Sequence, residues 1–575
     1  MWARDGGFPY VNGGLFADQM AFPPLTDRAL RALQDASAAD WSDLDPFLFG
    51  SLYQQTHTLD DRAEHGQHFT SAVNIRKALD PLFLNTFRTR LDAARGRREQ
   101  LLELQRDLAR LRVLDPAAGC GNFLLVAYQD VKTIEREVIT ELLATGMQAH
   151  STLINVPEGE YAGRTTIALR PPKPTPRAKQ PPDVYVPLVQ MTHFAGIELD
   201  EPAAALARTV LILAAVQAEF ALGETTDLTR TPLPLSDDTN ATVHATNALQ
   251  FNWANAWIDY DGVFNEHTVI VGNPPFLGPR QRNDSQRADH QHVWGDVPSA
   301  GSTDYVTNWF LLAGRYMQHT HARAAFVSTN SLTQGEQPAI VWTQLHQLGM
   351  HIDFAYRTFP WANGAGQQAA VHCVIIGFSA NPRPSTVRLW DEHNNCRDVP
   401  HINAYLTDGD EVLVWGRSEP LSARTPPMRS GSIPRDGGHL SKINETEAQR
   451  IREHDTTASK YLRRLYGADE LIKGNIRYCL WLVDVAPADV RNSTELKTRI
   501  ADVKSYRETK PYLRKQATTP HLFADRYQPH NPFLAVPSVS SQTRDYLPCA
   551  YLTENDIVNN AVFTITNCPT WLFGV

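Results

Sequence analysis

Cysteine is scarce in this chain: Cys120, Cys373, Cys396, Cys479, Cys549 and Cys568 are all it has in 575 residues. None of them forms a C-x-x-C pair or falls at a zinc-ligand spacing. A disulfide framework and a structural zinc site are therefore excluded as organising principles, and a reducing compartment is expected. Neither G-x-G-x-x-G nor G-x-x-x-x-G-K-[ST] occurs, which argues against a dinucleotide or ATP as ligand. The N-terminus lacks the charged and apolar regions of a secretory signal, and no apolar run is expected to approach membrane length. A cytoplasmic location, the prokaryotic cytosol, follows as the expectation, and Asn240-Ala241-Thr242 is then a chance sequon. No internal repeat is present.

What is present is concentrated in two short strings. The first, Val113-Leu114-Asp115-Pro116-Ala117-Ala118-Gly119-Cys120-Gly121-Asn122-Phe123, reads as an apolar strand from Arg112 to Leu114. It ends in an acid, turns through small residues and enters a helix at about Asn122. Gly119 and Gly121 permit positive φ and close backbone approach, as a doubly wound sheet requires where its strand ends meet a nucleotide-like ligand.

The second, Val271-Gly272-Asn273-Pro274-Pro275-Phe276, follows an apolar strand from Thr268 to Val271. Two prolines fix φ and expose a carbonyl. The Asn273 side-chain oxygen and the Pro274 carbonyl are then placed to accept hydrogens from an exocyclic amine, turning its nitrogen lone pair toward an electrophilic methyl group, while Phe276 stacks on the base. Such a site works by positioning and calls for no metal.

The pattern D-P-A-x-G-x-G-x-F resembles the S-adenosylmethionine loop of class I methyltransferases, and N-P-P-aromatic in that order resembles their amino-methyltransferases. The resemblance implies cofactor contacts at Asp115, Ala117, Gly119, Gly121, Asn122 and Phe123, and catalytic positions at Asn273, Pro274, Pro275 and Phe276. His68-Phe69-Thr70-Ser71 is similar to the segment preceding the cofactor loop in the γ order of these enzymes, so Phe69 and Thr70 are expected to help seat the cofactor. Glu198, ending the strand Phe194-Ala195-Gly196-Ile197-Glu198, is expected to take the ribose hydroxyls. Asn247 matches the position that contacts the cofactor adenine, where relatives often carry Asp.

Phe326-Val327-Ser328-Thr329-Asn330-Ser331 and Ala370 to Phe378 look like later strands of the same sheet. Taken whole, the chain is similar to restriction-modification enzymes of the MmeI type, the match including Phe8 to Phe16, Phe49-Gly50-Ser51-Leu52-Tyr53, Gly431 to Gly438 and Cys479 to Asp484. The resemblance implies an α/β fold: a Rossmann-like class I methyltransferase sheet with an N-terminal helical segment and a C-terminal mixed α/β target-recognition domain.

Those relatives also carry a nuclease. Here the N-terminal nuclease is expected to be missing and the C-terminus to be truncated, which leaves room for a separately encoded C-terminal fragment or nuclease as partner. Asp484 and Asp489 with Glu495-Leu496-Lys497 imitate a nuclease signature, but the Glu and Lys fit an ordinary charged helix start.

The net charge of -9 sits awkwardly with a nucleic-acid partner until its distribution is considered. From Leu421 to His530, 20 Lys and Arg face 13 Asp and Glu, leaving the rest of the chain at -16. Within that stretch Lys504, Arg507, Lys510, Arg514 and Lys515 are candidate contacts to a DNA backbone, with a solvated helix face as the alternative.

The expected organisation is a helical spacer over 1–65, the methyltransferase domain over 66–385 and the recognition domain over 386–575. In the spacer, Leu30, Leu33 and the Trp41 to Tyr53 stretch supply apolar faces, and Leu101, Leu104, Leu108 and Leu111 recur at helical spacing as core. The proline-rich run from Pro171 to Pro182 reads as an extended insertion. The function implied is N6-methylation of a flipped-out adenine in duplex DNA, with S-adenosylmethionine as donor. A catalytically silent DNA-binding remnant, protein glutamine-N5 methylation and N4-cytosine methylation remain open at this stage.

Overall fold

The computed structural model describes residues 26–38, 45–55, 71–144, 149–151, 183–184, 187–226, 243–257, 266–362, 368–417, 419, 422, 425–541 and 544–573. The chain divides into two compact units, Met1–Gly416 and Arg417–Val575.

The first unit is built on a nine-stranded sheet. Its strands are β1 (Arg112–Asp115), β2 (Phe194–Glu198), β3 (Val243–Ala245), β4 (Thr268–Gly272), β5 (Arg323–Thr329), β6 (His351–Ala362), β7 (Gln368–Ser379), β8 (Val387–Trp390) and β9 (Cys396–Val399). Their spatial order is β3-β2-β1-β4-β5-β7-β6-β8-β9. The run from β3 to β5 is parallel, and β7 inserts antiparallel between β5 and β6.

Strands buried on both faces read as continuous apolar runs, and side chains alternate between the two cores with a period of two. Val113, Val269 and Val271 join one buried cluster while Leu114 and Ile270 join the other. The strand order reverses between β1 and β4, so the crevice at their carboxyl ends is the topological switch point, where such sheets bind ligands. The strands expected around Phe326 and Val374 are β5 and β7. Beyond residue 385 the sheet continues: β8 pairs with β6 and β9 with β8.

Helices cover both faces. They are α1 (Asp27–Ala38), α2 (Phe47–Gln55), α3 (Ala72–Leu79), α4 (Asn85–Ala94), α5 (Arg98–Arg110), α6 (Asn122–Ala144), α7 (Glu201–Thr226), α8 (Asp284–Trp294), α9 (Thr307–Met317) and α10 (Gln337–Gln347). Leu101, Leu104 and Leu108 form the buried stripe of α5, and Leu111, also buried, follows it into β1. In the N-terminal segment Leu30 is 46% exposed, so it supplies no core face. α2 instead packs through Phe47 and Phe49.

The expectation that no apolar run approaches membrane length needs correction. Glu201–Leu222 is long and apolar enough to qualify. This stretch is the start of α7, and Ala203, Ala204, Ala207, Val210, Leu211, Ala214 and Leu222 are buried in the unit's core. An all-round apolar helix with one face packed on a large α/β core satisfies the same composition rule as a membrane span. The proline-rich run at 171–182 lies outside the described residues. The chain returns from it at a buried carboxylate: Glu135 accepts the backbone N–H groups of Leu188 and Val189 at 2.5 and 2.8 Å, with Lys132 paired to its other oxygen at 2.8 Å.

The second unit is mixed α/β. A four-stranded sheet runs β10 (Arg429–Ser430), β16 (Val562–Thr566), β13 (Phe533–Pro537), β14 (Ala550–Leu552), and a three-stranded sheet runs β12 (Tyr478–Leu480), β11 (Leu462–Tyr466), β15 (Ile557–Val558). Its two longest α-helices among the described residues are α11 (Glu445–His454) and α12 (Thr494–Glu508). The Gly431 to Gly438 string becomes a tight entry loop. A Cβ on Gly431 would lie 2.5 Å from the Asn559 carbonyl, and Asp436 gathers the N–H groups of Gly438 and Leu440 with the Ser441 hydroxyl.

Candidate functional site

Both sequence strings emerge at the same edge of the sheet because β1 and β4 are parallel neighbours in register, Leu114 opposite Ile270. The carboxyl ends then nearly touch: a Cβ built on Gly272 would lie 2.6 Å from Asp115 Oδ1. Only glycine fits before Asn273.

Asp115 is 1% exposed. Its Oδ1 accepts the Ala117 N–H at 3.0 Å, while the buried Oδ2 has no hydrogen-bond partner among the described residues. Burial pushes this carboxyl up to about 8; the nearby Glu198 charge adds to the rise and the Ala117 N–H opposes it. An orphaned buried carboxylate oxygen at a switch point is the kind of group a bound cationic ligand would satisfy.

The turn after Asp115 is shaped for close approach. Gly119 adopts φ +52° with open space where a Cβ would stand. Gly121 adopts φ +83° with Ala207 of α7 within 2.9 Å of a notional Cβ. Gly119 donates its N–H to Glu198 Oε2 at 2.7 Å, and Glu198 Oε1 accepts from Asp200 at 3.0 Å. The carboxyl end of β2 is thereby locked to the β1 turn. Asn122 begins α6 beside Gly50 of α2, and Phe123 is core, 3% exposed. Ala117 is half-buried against the second cluster. Phe69 and Thr70 lie outside the described residues.

Asn273 is half-buried with its Oδ1 in the interior, Pro274 is buried, Pro275 is half-buried, and Phe276 packs between both core clusters. The loop is held from behind by residues that sequence reasoning did not single out. Asp304 Oδ1 accepts the Leu277 N–H at 3.1 Å, Tyr305 donates its N–H to the Leu277 carbonyl at 3.0 Å, and Trp309 Nε1 donates to the Pro116 carbonyl at 2.9 Å. One short segment at the start of α9 thus braces both strings.

Tyr53, in the Phe49 to Tyr53 string, donates its hydroxyl to Asp200 at 2.5 Å, just after Glu198. Asn247 follows β3, with its Oδ1 taken by the Leu249 N–H at 2.9 Å and its Nδ2 donating to Asp289 at 3.0 Å.

Comparison with known proteins bears on this arrangement directly. Residues 91–391 match the MmeI DNA-methyltransferase domain, and residues 408–575 match the MmeI target recognition domain. The chain belongs to the MmeI methyltransferase family. Within that family it is 31% identical over 574 residues to DNA methyltransferase A of Bacillus subtilis (strain 168), covering 99% of this chain and 60% of that protein. It therefore spans less than two thirds of that relative's length. The solved type IIL restriction-modification enzyme MmeI, in complex with DNA, superposes at a TM-score of 0.81 with 32% identity, covering 99% of this chain and 71% of that one.

The MmeI recognition domain contains the basic stretch, and there one expected residue moves. Arg507 is 0% exposed. It donates to the carbonyls of Pro434, Arg435, Gln516, Thr519 and Leu522, at 2.7 to 3.1 Å. Burial lowers its pKa. A guanidinium spent on five backbone acceptors is a clamp, and Arg507 is withdrawn as a DNA contact. Lys504, Lys510, Arg514 and Lys515 are exposed.

The nuclease-like string resolves as expected. Ser493 caps α12 through the Leu496 N–H at 3.0 Å, and Glu495 pairs with Arg450 at 2.8 Å and Arg499 at 2.7 Å. Asp489 accepts the Tyr461 hydroxyl at 2.7 Å. Among the described residues no group of three His, Cys, Asp or Glu is arranged to hold a metal ion.

Proposed function

We propose that the chain methylates the N6 amine of a specific adenine in duplex DNA, with S-adenosylmethionine as donor. The observation that carries this reading is the juxtaposition of Asp115 and the Asn273 loop at adjacent ends of parallel strands. The methyltransferase domain, expected over 66–385, would extend through β9 to at least Val399, and the recognition domain would follow it. A cytoplasmic location accords with DNA as substrate.

The residues present fit the donor. Asp115 Oδ2, the open turn at Gly119 and the acid at Glu198 stand together at the adjoining carboxyl ends of β1 and β2, and Phe69, Thr70, Ala117, Gly121, Asn122 and Phe123 belong to the same sequence strings. When bound, the cofactor supplies an electrophilic methyl group on a sulfonium. The protein's part is geometry. Asn273 Oδ1 and the Pro274 carbonyl accept the two amine hydrogens, which rotates the nitrogen lone pair out of the base plane, and Phe276 stacks on the base. Transfer to the nitrogen would break the methyl–sulfur bond, the sulfur keeping that electron pair as a neutral thioether, and one of the amine hydrogens would then pass to solvent as a proton. A base buried in a duplex must first be extruded, and Pro274 and Pro275 give the rigid rim it meets.

Label from methyl-labelled S-adenosylmethionine should appear as N6-methyladenine when the chain is incubated with mixed-sequence duplex DNA. Asn273→Ala should cut transfer by about 100-fold or more, the scale for removing a preorganised hydrogen-bonding group, while cofactor affinity stays within a few-fold. Label in N4-methylcytosine or in a glutamine-containing peptide would replace the adenine assignment. DNA retention without any transfer would mark a silent DNA-binding protein.

A further inference from the structure

One side chain outside both sequence strings connects the loop that follows β3 to the loop that follows β4. Asp289 of α8 is 5% exposed. Its Oδ1 accepts from Gln250 Nε2 at 2.7 Å; its Oδ2 accepts from Asn247 Nδ2 at 3.0 Å and from the Tyr305 hydroxyl at 3.2 Å. Tyr305 in turn donates its backbone N–H to the carbonyl of Leu277, the residue after Phe276.

An asparagine amide can present either its oxygen or its NH2 in a given direction, and its neighbours decide which. Asp289 as a carboxylate only accepts, so it draws the Asn247 NH2 toward itself. The Oδ1 is turned the other way, where it accepts the Leu249 N–H and keeps a second lone pair. We infer that Asp289 is a positioning residue: it fixes the Asn247 amide so that oxygen faces the exocyclic amine of the cofactor adenine, and through Tyr305 it ties this contact to the catalytic loop. The inference rests on the S-adenosylmethionine reading given above. It also accounts for asparagine at a position where an acid would be expected, since an aspartate at 247 would set two carboxylates face to face at about the 3.0 Å now spanned by a hydrogen bond.

The test is equilibrium binding of S-adenosylhomocysteine and S-inosylhomocysteine to the full chain. The two ligands differ at the 6-position, where an amino donor becomes an oxo acceptor. The wild type should prefer the adenosyl ligand by about tenfold or more, since the inosyl oxygen would face the half-buried acceptor at Asn247.

Asp289→Ala should lose most of that preference. Asn247→Asp should lose affinity for both ligands. Asn247→Asp combined with Asp289→Asn re-forms the pair with donor and acceptor exchanged, and should bring the preference back to within about threefold of wild type.

A merely structural role for Asp289 would weaken both ligands alike. That outcome, or an exchanged pair no better than Asn247→Asp alone, overturns the inference, as does a wild type that binds both ligands equally. A wild type that binds neither overturns the cofactor reading and this inference together.

Discussion

At the residue scale the decisive group is Asp115, whose chemistry depends on its burial. Its carboxyl titrates near 8 in the fold against 3.8 in an exposed chain, so between those values the folded state holds a proton that the unfolded state has lost. Stability from this group is therefore full below about pH 4 and declines as pH rises toward about 8. Asp115→Asn removes the titration. The melting temperature of the variant relative to wild type should climb across that window, and a pH-independent difference would refute the assignment. S-adenosylmethionine affinity should move the opposite way: the variant binds more weakly, most markedly above about pH 8, where wild-type Asp115 ionises readily beside a cationic ligand.

Asp115, Gly119, Gly121 and Asn273 were legible in the sequence because strand ends and tight turns constrain local residue types. Asp289, Asp304, Tyr305 and Trp309 were not. Each acts across a tertiary contact, Trp309 on Pro116 and Asp289 on Asn247, and no local pattern encodes which distant carbonyl or amide a side chain will reach.

At the element scale α12 shows how a charge run misleads and how it could have been read. Leu496, Val503 and Arg507 are its buried residues, spaced by seven and four, so Arg507 stands on the apolar stripe and not on the solvated face. That spacing is present in the sequence, beneath the denser run of Lys and Arg. The apolar α7 hid a similar ambiguity, since composition alone does not tell a core helix from a membrane span.

The two kinds of cation should separate by mutation. Arg507→Met leaves five carbonyls short of a charged donor and should cost about 3 kcal/mol or more of unfolding free energy, measurable by denaturant titration. Exchanging Lys510, Arg514 and Lys515 together for alanine should change stability little. It should weaken binding to random-sequence DNA and reduce the slope of log K against log salt by up to about 2.7, about 0.9 for each phosphate no longer neutralised. An unchanged slope would return these residues to a plain solvated surface.

At the scale of the whole molecule, each unit owns its core. The buried clusters around Val113 and Leu114 are built within Met1–Gly416, and those around Leu440 and Phe533 within Arg417–Val575. A unit with its own core is expected to melt as its own cooperative step, so calorimetry of the full chain should resolve two transitions.

Perturbations should then act on one step each, with sizes set by unit length. Unfolding entropy near about 2.1 cal/mol/K per residue gives about 0.9 kcal/mol/K for the larger unit and about 0.3 for the smaller. S-adenosylhomocysteine at about 100 times its Kd adds about 2.7 kcal/mol to the state that binds it, which should raise the larger transition by about 3 °C and leave the smaller in place. Arg507→Met, costing a similar energy, should lower the smaller transition by about 9 °C and spare the larger. A single transition displaced by both treatments would show that the two units fold as one, and that a change in the second unit reaches the Asp115 turn through stability alone.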